Sequence, residues 1–203
     1  MSQIQLDRIP QKKLRHLIRQ QLEHGNTTFD GLSPTYKPGD NLGRYYYHEK
    51  EYHLNQPKDH LWNHYLTVNP GVAWNSKMLS FGLMISKKDH EVMYSGEPYQ
   101  GVALGQVMFF CVEVLGGLIK LPVAHEIIAV NRDRNYLEAS YVRGGKTAGK
   151  QRISFYENRD GSTRISHTSF YASDSQVRDR FLYPYFHTLA INEYHRNVIR
   201  ALH

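Results

Sequence analysis

From residue 91 to residue 171 apolar and polar positions alternate with a period of two. The strands this pattern predicts cover residues 91–95, 104–115, 122–130, 136–142, 149–157 and 162–171. Short punctuation separates them: Gly96-Glu97-Pro98, Gly116-Gly117, residues 131–135, Gly144-Gly145 and Asp160-Gly161. An Asp-Gly pair between two alternating runs is a strong hairpin signal. Connections this short join antiparallel neighbours, so the six segments read as a meander.

Outside this region the period changes. Leu14, Leu17, Ile18 and Leu22 recur at helical spacing over residues 11–24, opposite a cationic face, and Gly25-Asn26 is a natural stop. Residues 25–43, with Gly31, Pro34, Pro38-Gly39 and Gly43, read as a long loop. A first strand follows over 44–54, where tyrosines and charges alternate. Pro57 and Asp59 then open a helix whose apolar side is Leu61, Trp62, Tyr65 and Leu66, ended by Asn69-Pro70-Gly71. A second helical piece is expected over 72–85, with Trp74, Met78, Leu79, Phe81 and Leu83 inward. The chain closes in a long helix that starts near Ser173-Asp174-Ser175 and runs through Phe181, Phe186, Leu189, Tyr194 and Leu202. Pro184 removes a backbone donor inside it and predicts a kink or a split.

The elements make an α+β protein, and composition narrows its class. A chain of 203 residues buries enough surface to need no staple. The single cysteine, Cys111, sits in an apolar run and reads as a small core residue. No apolar run approaches the ~20 residues of a membrane span, and the first residues lack the apolar core of a secretory signal, so a cytoplasmic protein is expected. The formal charge of +6 is spread along the chain, which argues against a nucleic-acid footprint. The basic N-terminal helix and the turn at 143–152 leave peripheral contact with an anionic membrane as a second partner class, although packing of that helix on the main domain is the better expectation.

A strand, two helices, a six-strand meander and a long terminal helix are the layout of the helix-grip fold. Residues 44–202 therefore resemble the START-like superfamily, which includes birch-pollen allergen proteins, lipid-transfer START domains and polyketide cyclases. Gly149-Lys150-Gln151-Arg152-Ile153-Ser154-Phe155, then Asp160-Gly161, then Ile165-Ser166-His167-Thr168-Ser169-Phe170 look like the closing hairpin of bacterial members. The resemblance implies a curved antiparallel sheet of about seven strands around the C-terminal helix, with residues 1–43 as an N-terminal helical extension to a domain at 44–203. It also implies an elongated apolar cavity between sheet and helix. No catalytic signature of the superfamily matches residue by residue.

The leading function on this reading is binding or carrying a hydrophobic small molecule, lipid-like or polyketide-like. Expected lining residues are Trp74, Phe81, Phe109 or Phe110, Tyr141, His167, Phe186, Leu189 and Tyr194. The alternative is a cyclase, dehydratase or hydrolase using Glu126 and His167 as acid and base in the same cavity. Strand alternation puts His125 and Glu126 on opposite faces, and a plainer arrangement pairs Glu126 with an arginine across the sheet. His167 shares a face with Ile165, Ser169 and Tyr171. His60 and His64 stand four apart on a helix without a third ligand, and His187 and His195 lie eight apart, too far for one ion. No metal or cofactor is called for. Gly144-Gly145-Lys146-Thr147 lacks the phosphate-loop spacing, since position 140 is Ser140. The sequence carries no signal for an oligomeric state.

Overall fold

The sheet has eight strands, ordered β1-β8-β7-β6-β5-β4-β2-β3 with every neighbouring pair antiparallel. They are β1 (Tyr46–Leu54), β2 (Leu79–Ser86), β3 (Glu91–Tyr94), β4 (Gln106–Val114), β5 (Ile119–Asn131), β6 (Tyr136–Tyr141), β7 (Ala148–Glu157) and β8 (Thr163–Ala172). The helices are α1 (Lys12–Glu23), α2 (Lys58–Thr67), the single turn α3 (Pro70–Ala73) and α4 (Tyr183–Arg200). This computed structural model describes residues 4–23 and 29–202; the predicted stop at Gly25-Asn26 lies outside them.

One element differs from expectation. The helix predicted over 72–85 ends at Ala73, and Leu79–Ser86 is strand β2, paired with β3 on one side and β4 on the other. The six-strand meander is accordingly a five-strand meander, β4 to β8, beside a β2–β3 hairpin whose first strand stands between β3 and β4. The cause is burial on both faces. Phe81 and Met84 enter the inner core while Leu83 and Ile85 enter an outer one, so β2 is apolar at nearly every position and its strand period is hidden.

The outer core exists because α1 lies on that side of the sheet. Leu14, Leu17 and Ile18 meet Leu83, Ile85, Val107, Phe109 and Ala124. The helix comes close because position 82 is glycine: a Cβ there would stand 2.5 Å from Leu14 Cδ2 and 3.1 Å from the Phe109 carbonyl oxygen. Downstream, residues 33–36 tie to the sheet, with Thr35 N donating to Tyr141 O (2.7 Å) and Arg143 N to Ser33 O (2.9 Å). The apolar stripe of α1 is therefore taken up by the sheet, and its Lys12 and Lys13 remain exposed.

On the inner face α2, α3 and α4 cover the sheet. Tyr65, Trp62, Trp74, Phe110, Phe155, Ile165, Tyr194 and Val198 form the main core. Asn197 Nδ2 donates to the carbonyls of Ala73 and Asn75, each at 3.1 Å, and fastens α4 to the α3 turn. The break expected at Pro184 is a π-helical turn, Arg178–Leu182, that leads directly into α4 with the proline in its first turn. A widened turn accommodates a residue that cannot donate and would crowd the carbonyl four positions back.

Candidate functional site

Between β4, β5 and α4 lies a cavity of about 790 Å³. Its inner wall contains Trp74, Phe110, Val123, His125, Tyr141, Tyr183, Phe186, His187 and Ile191. Strand lengths explain the opening. β5 pairs with β6 only from His125 onward, so residues 119–124 project past the end of β6 and leave a gap that the turn at 144–147 and the start of α4 border. The rim carries Lys12, Lys13, His16, Lys120, Lys146 and Arg178 and no carboxylate. Lys120 is paired with Glu113 outside the rim (3.3 Å), and Arg178 bonds Lys146 O (2.7 Å) and the Thr147 hydroxyl. A volume of this order suits a small organic molecule, for which pockets run roughly 300–1,000 Å³.

The polar groups of the interior form one hydrogen-bonded chain. Tyr65 Oη and His195 Nδ1 are 2.6 Å apart, His195 Nε2 and His167 Nδ1 2.9 Å, and His167 Nε2 and Gln151 Oε1 2.9 Å. Gln151 Nε2 donates to Tyr141 Oη (2.8 Å), Tyr141 bonds Tyr183, and Tyr183 Oη lies 2.8 Å from Ser169 Oγ. The Gln151 carbonyl only accepts, so His167 donates from Nε2 and receives at Nδ1. His195 then donates from Nε2 and receives the Tyr65 hydrogen at Nδ1. Each imidazole in the chain is neutral on this pattern. Burial agrees: it pushes His195 down to about 3 and holds His167 well below the usual histidine range, with neighbouring His195 adding to the effect on His167. The same desolvation pushes His125 down to about 3 and raises the Tyr183 hydroxyl well above the usual tyrosine value.

Among the residues expected to line a cavity, Trp74, Phe110, Tyr141 and Phe186 border the large one. His167 and Tyr194 border a second space of about 50 Å³ that shares Trp74, His125 and Gln151 with it. Phe81 is packed in the inner core, and Leu189 is half-buried on α4 away from both spaces. Phe109 faces the other way, into the core beneath α1, because its Cβ alternates with that of Phe110.

Glu126 and His167 are not brought together. Glu126 lies on the outer face, 2.7 Å from Lys87 Nζ, so its partner is a lysine rather than the arginine expected, while His167 belongs to the inner chain. His125, on the opposite face from Glu126, is fully inside, edge-on to Phe110 and Tyr141. His64 bonds Val198 O (2.7 Å), and among the described residues no cluster of three or more metal-ligating side chains occurs. Burial pushes the Cys111 thiol up to about 11, which removes its nucleophilic character. Gln151, quoted above only as part of the closing hairpin, and Tyr183 are central to the polar chain, and no sequence motif marks either as a site residue.

An open, curved antiparallel sheet closed over a long C-terminal helix is the helix-grip architecture. Solved structures of several other proteins share it. A Thalictrum flavum norcoclaurine synthase mutant, in complex with a transition-state analogue, superposes with a TM-score of 0.55 at 12% identity, covering 77% of this chain and 93% of the synthase. Major latex-like protein 151 from Panax ginseng gives 0.54 at 12% identity over 77% of this chain and 96% of its own. KanY gives 0.54 at 9% identity over 78% and 97%. No protein-family model matches the sequence, and no curated protein matches it. Likeness at this level establishes the fold. Among the described residues no helix is long and apolar enough to cross a membrane.

Proposed function

We propose that this protein binds a hydrophobic small molecule, lipid-like or polyketide-like, in the cavity between the sheet and α4. The observation that carries the reading is the cavity of about 790 Å³ with its wall of aromatic and aliphatic side chains. Burial of ligand surface against Trp74, Phe110, Phe186 and Ile191 drives association, and the few polar groups set orientation. The basic rim favours molecules with an acidic end at the mouth and raises their local concentration there. Phe181, Tyr185 and Leu118 are exposed on the two segments that flank this rim, which makes it the surface suited to contact with an anionic membrane.

An acid–base role for Glu126 with His167 has no support, since the sheet separates the two. The presence of a bound transition-state analogue in norcoclaurine synthase shows what that protein's site holds, and the fold alone does not transfer the reaction. Native mass spectrometry of protein purified from cells tests the reading. We expect a complex heavier than the bare chain that releases an apolar compound on denaturation. A bare mass, together with no binding of an environment-sensitive dye such as 1-anilinonaphthalene-8-sulfonate, refutes it.

A further inference from the structure

His187 borders the cavity from α4, and its Nε2 is buried without a hydrogen-bond partner among the described residues. Its proton is placed by a short series of neighbours. The Thr188 hydroxyl donates to Pro184 O (2.7 Å), so Thr188 Oγ1 is left to receive the Nε2 hydrogen of His48, 3.0 Å away. His48 then has its lone pair on Nδ1. His187 Nδ1 faces that atom at 3.3 Å and supplies the hydrogen between them. A neutral His187 with its hydrogen on Nδ1 has an unshared electron pair on Nε2. Burial and the adjacent Lys50 hold His48 below the usual histidine value, and burial does the same for His187, so both rings are neutral at neutral pH and the hydrogen bonds set which nitrogen carries the hydrogen.

The neighbouring imidazoles are satisfied. His167 and His195 each use both ring nitrogens within the protein. Among the described residues, only His187 and His125 border the large cavity with a buried, unpartnered Nε2. Buried polar groups are nearly always hydrogen-bonded, and two that are not, in the wall of one apolar cavity, mark where a ligand's polar atom belongs.

We propose that His187 Nε2 accepts a hydrogen bond from the bound molecule, so that the ligand is an apolar compound carrying a hydroxyl or N–H group at its buried end, such as a phenol or an apolar alcohol. Ethers, esters and plain hydrocarbons of the same shape are disfavoured. This rests on the cavity being a ligand site. His125 Nε2, in the same wall, is a second point at which such a molecule is held.

The test is displacement of 1-anilinonaphthalene-8-sulfonate by 2-naphthol and by 2-methoxynaphthalene, two compounds of nearly the same shape that differ in the ability to donate. We expect 2-naphthol to displace the dye at about tenfold lower concentration, the worth of one good hydrogen bond. In His187→Leu the two should become equal within about twofold. Imidazole nitrogen NMR of the unmodified protein provides a readout independent of that variant's folding: the His187 Nε2 resonance should move with 2-naphthol and stay in place with the ether. Dye binding without a naphthol advantage, an advantage that survives His187→Leu, or an Nε2 resonance indifferent to naphthol overturns the acceptor role and leaves the cavity reading standing. Failure of the dye to bind at all, together with a bare mass in native mass spectrometry, overturns the cavity reading itself.

Discussion

His195 Nε2, on α4, lies 2.9 Å from His167 Nδ1, on β8, so the helix is joined to the sheet by a bond between two uncharged imidazoles. Protonating either ring places a second hydrogen or a second charge in a buried chain that has no acceptor for it. His125 and His195 are pushed down to about 3, and His167 and His187 also lie well below 6.5, in each case chiefly by burial. Between those values and the unfolded histidine value the unfolded chain binds more protons than the folded one. Stability therefore falls as pH drops below 6.5, by up to about 1.4 kcal/mol per pH unit for each histidine. Urea midpoints measured from pH 7.5 to 5 should decline steeply, and His125→Phe should make the decline shallower by about one proton. A midpoint flat down to pH 5 would contradict this.

Phe109 and Phe110 are neighbours in β4 that serve different cores. Phe109→Ala should cost about 3–5 kcal/mol in urea denaturation and leave dye binding in the cavity unchanged. Phe110→Ala should cost a similar amount and also alter dye affinity, since Phe110 borders the cavity and stacks on Trp74 with ring centres 4.0 Å apart. Identical binding effects from the two variants would show that the cavity is not where ligands go.

On the outer face Lys150 Nζ lies 2.6 Å from Glu138 Oε1, both side chains more than nine-tenths buried, and Arg152 shares the same oxygen at 2.8 Å. Lys150 also stands 4.4 Å from the Tyr36 ring centre. Replacing Glu138 by Gln strands a buried ammonium and should cost about 3–5 kcal/mol. Lys150→Met together with Glu138→Leu should restore most of that stability, because no charge is then left inside. Thermal melts of the single and double variants decide the point.

Gly82 has no room for a side chain beneath Leu14. Gly82→Ala should destabilise by about 1–3 kcal/mol through overpacking. Since the clash is with Leu14, Gly82→Ala and Leu14→Ala combined should cost less than the sum of the two. Strict additivity in denaturation would mean that α1 does not lie on this strand.

The rim prediction concerns surfaces. Co-sedimentation with vesicles containing anionic phospholipid should exceed that with neutral vesicles and fall as salt rises. Replacing exposed Leu118 and Phe181 by Glu should abolish it without lowering the melting temperature. Equal association with both vesicle types would remove the membrane from the list of partners.

Much of this architecture is written in the sequence pattern, and particular residues show where the writing stops. Asp160-Gly161 and the flanking alternation define the β7–β8 hairpin, whose register runs from Ala148 opposite Ala172 to Glu157 opposite Thr163. β1 and α2 are equally plain, because each has one wet face. β2 is not, because α1 covers the side that solvent would otherwise mark with polar residues. The His125–Glu126 alternation is visible, yet alternation cannot say which of the two points inward. The polar chain is hidden for a different reason. Tyr65 and His195 are 130 positions apart and His167 and His195 are 28 apart, so spacing carries no trace of their contact.

Beneath α1, β4 presents one set of side chains to a core that holds the fold and the alternate set to a space that has room for something else. A substitution at an even-numbered position such as Met108 or Phe110 changes what the interior admits, and one at Val107 or Phe109 changes how firmly the outer helix is held. The odd letters of this nine-residue word answer to the scaffold alone, whereas the even letters answer to the scaffold and the interior space together.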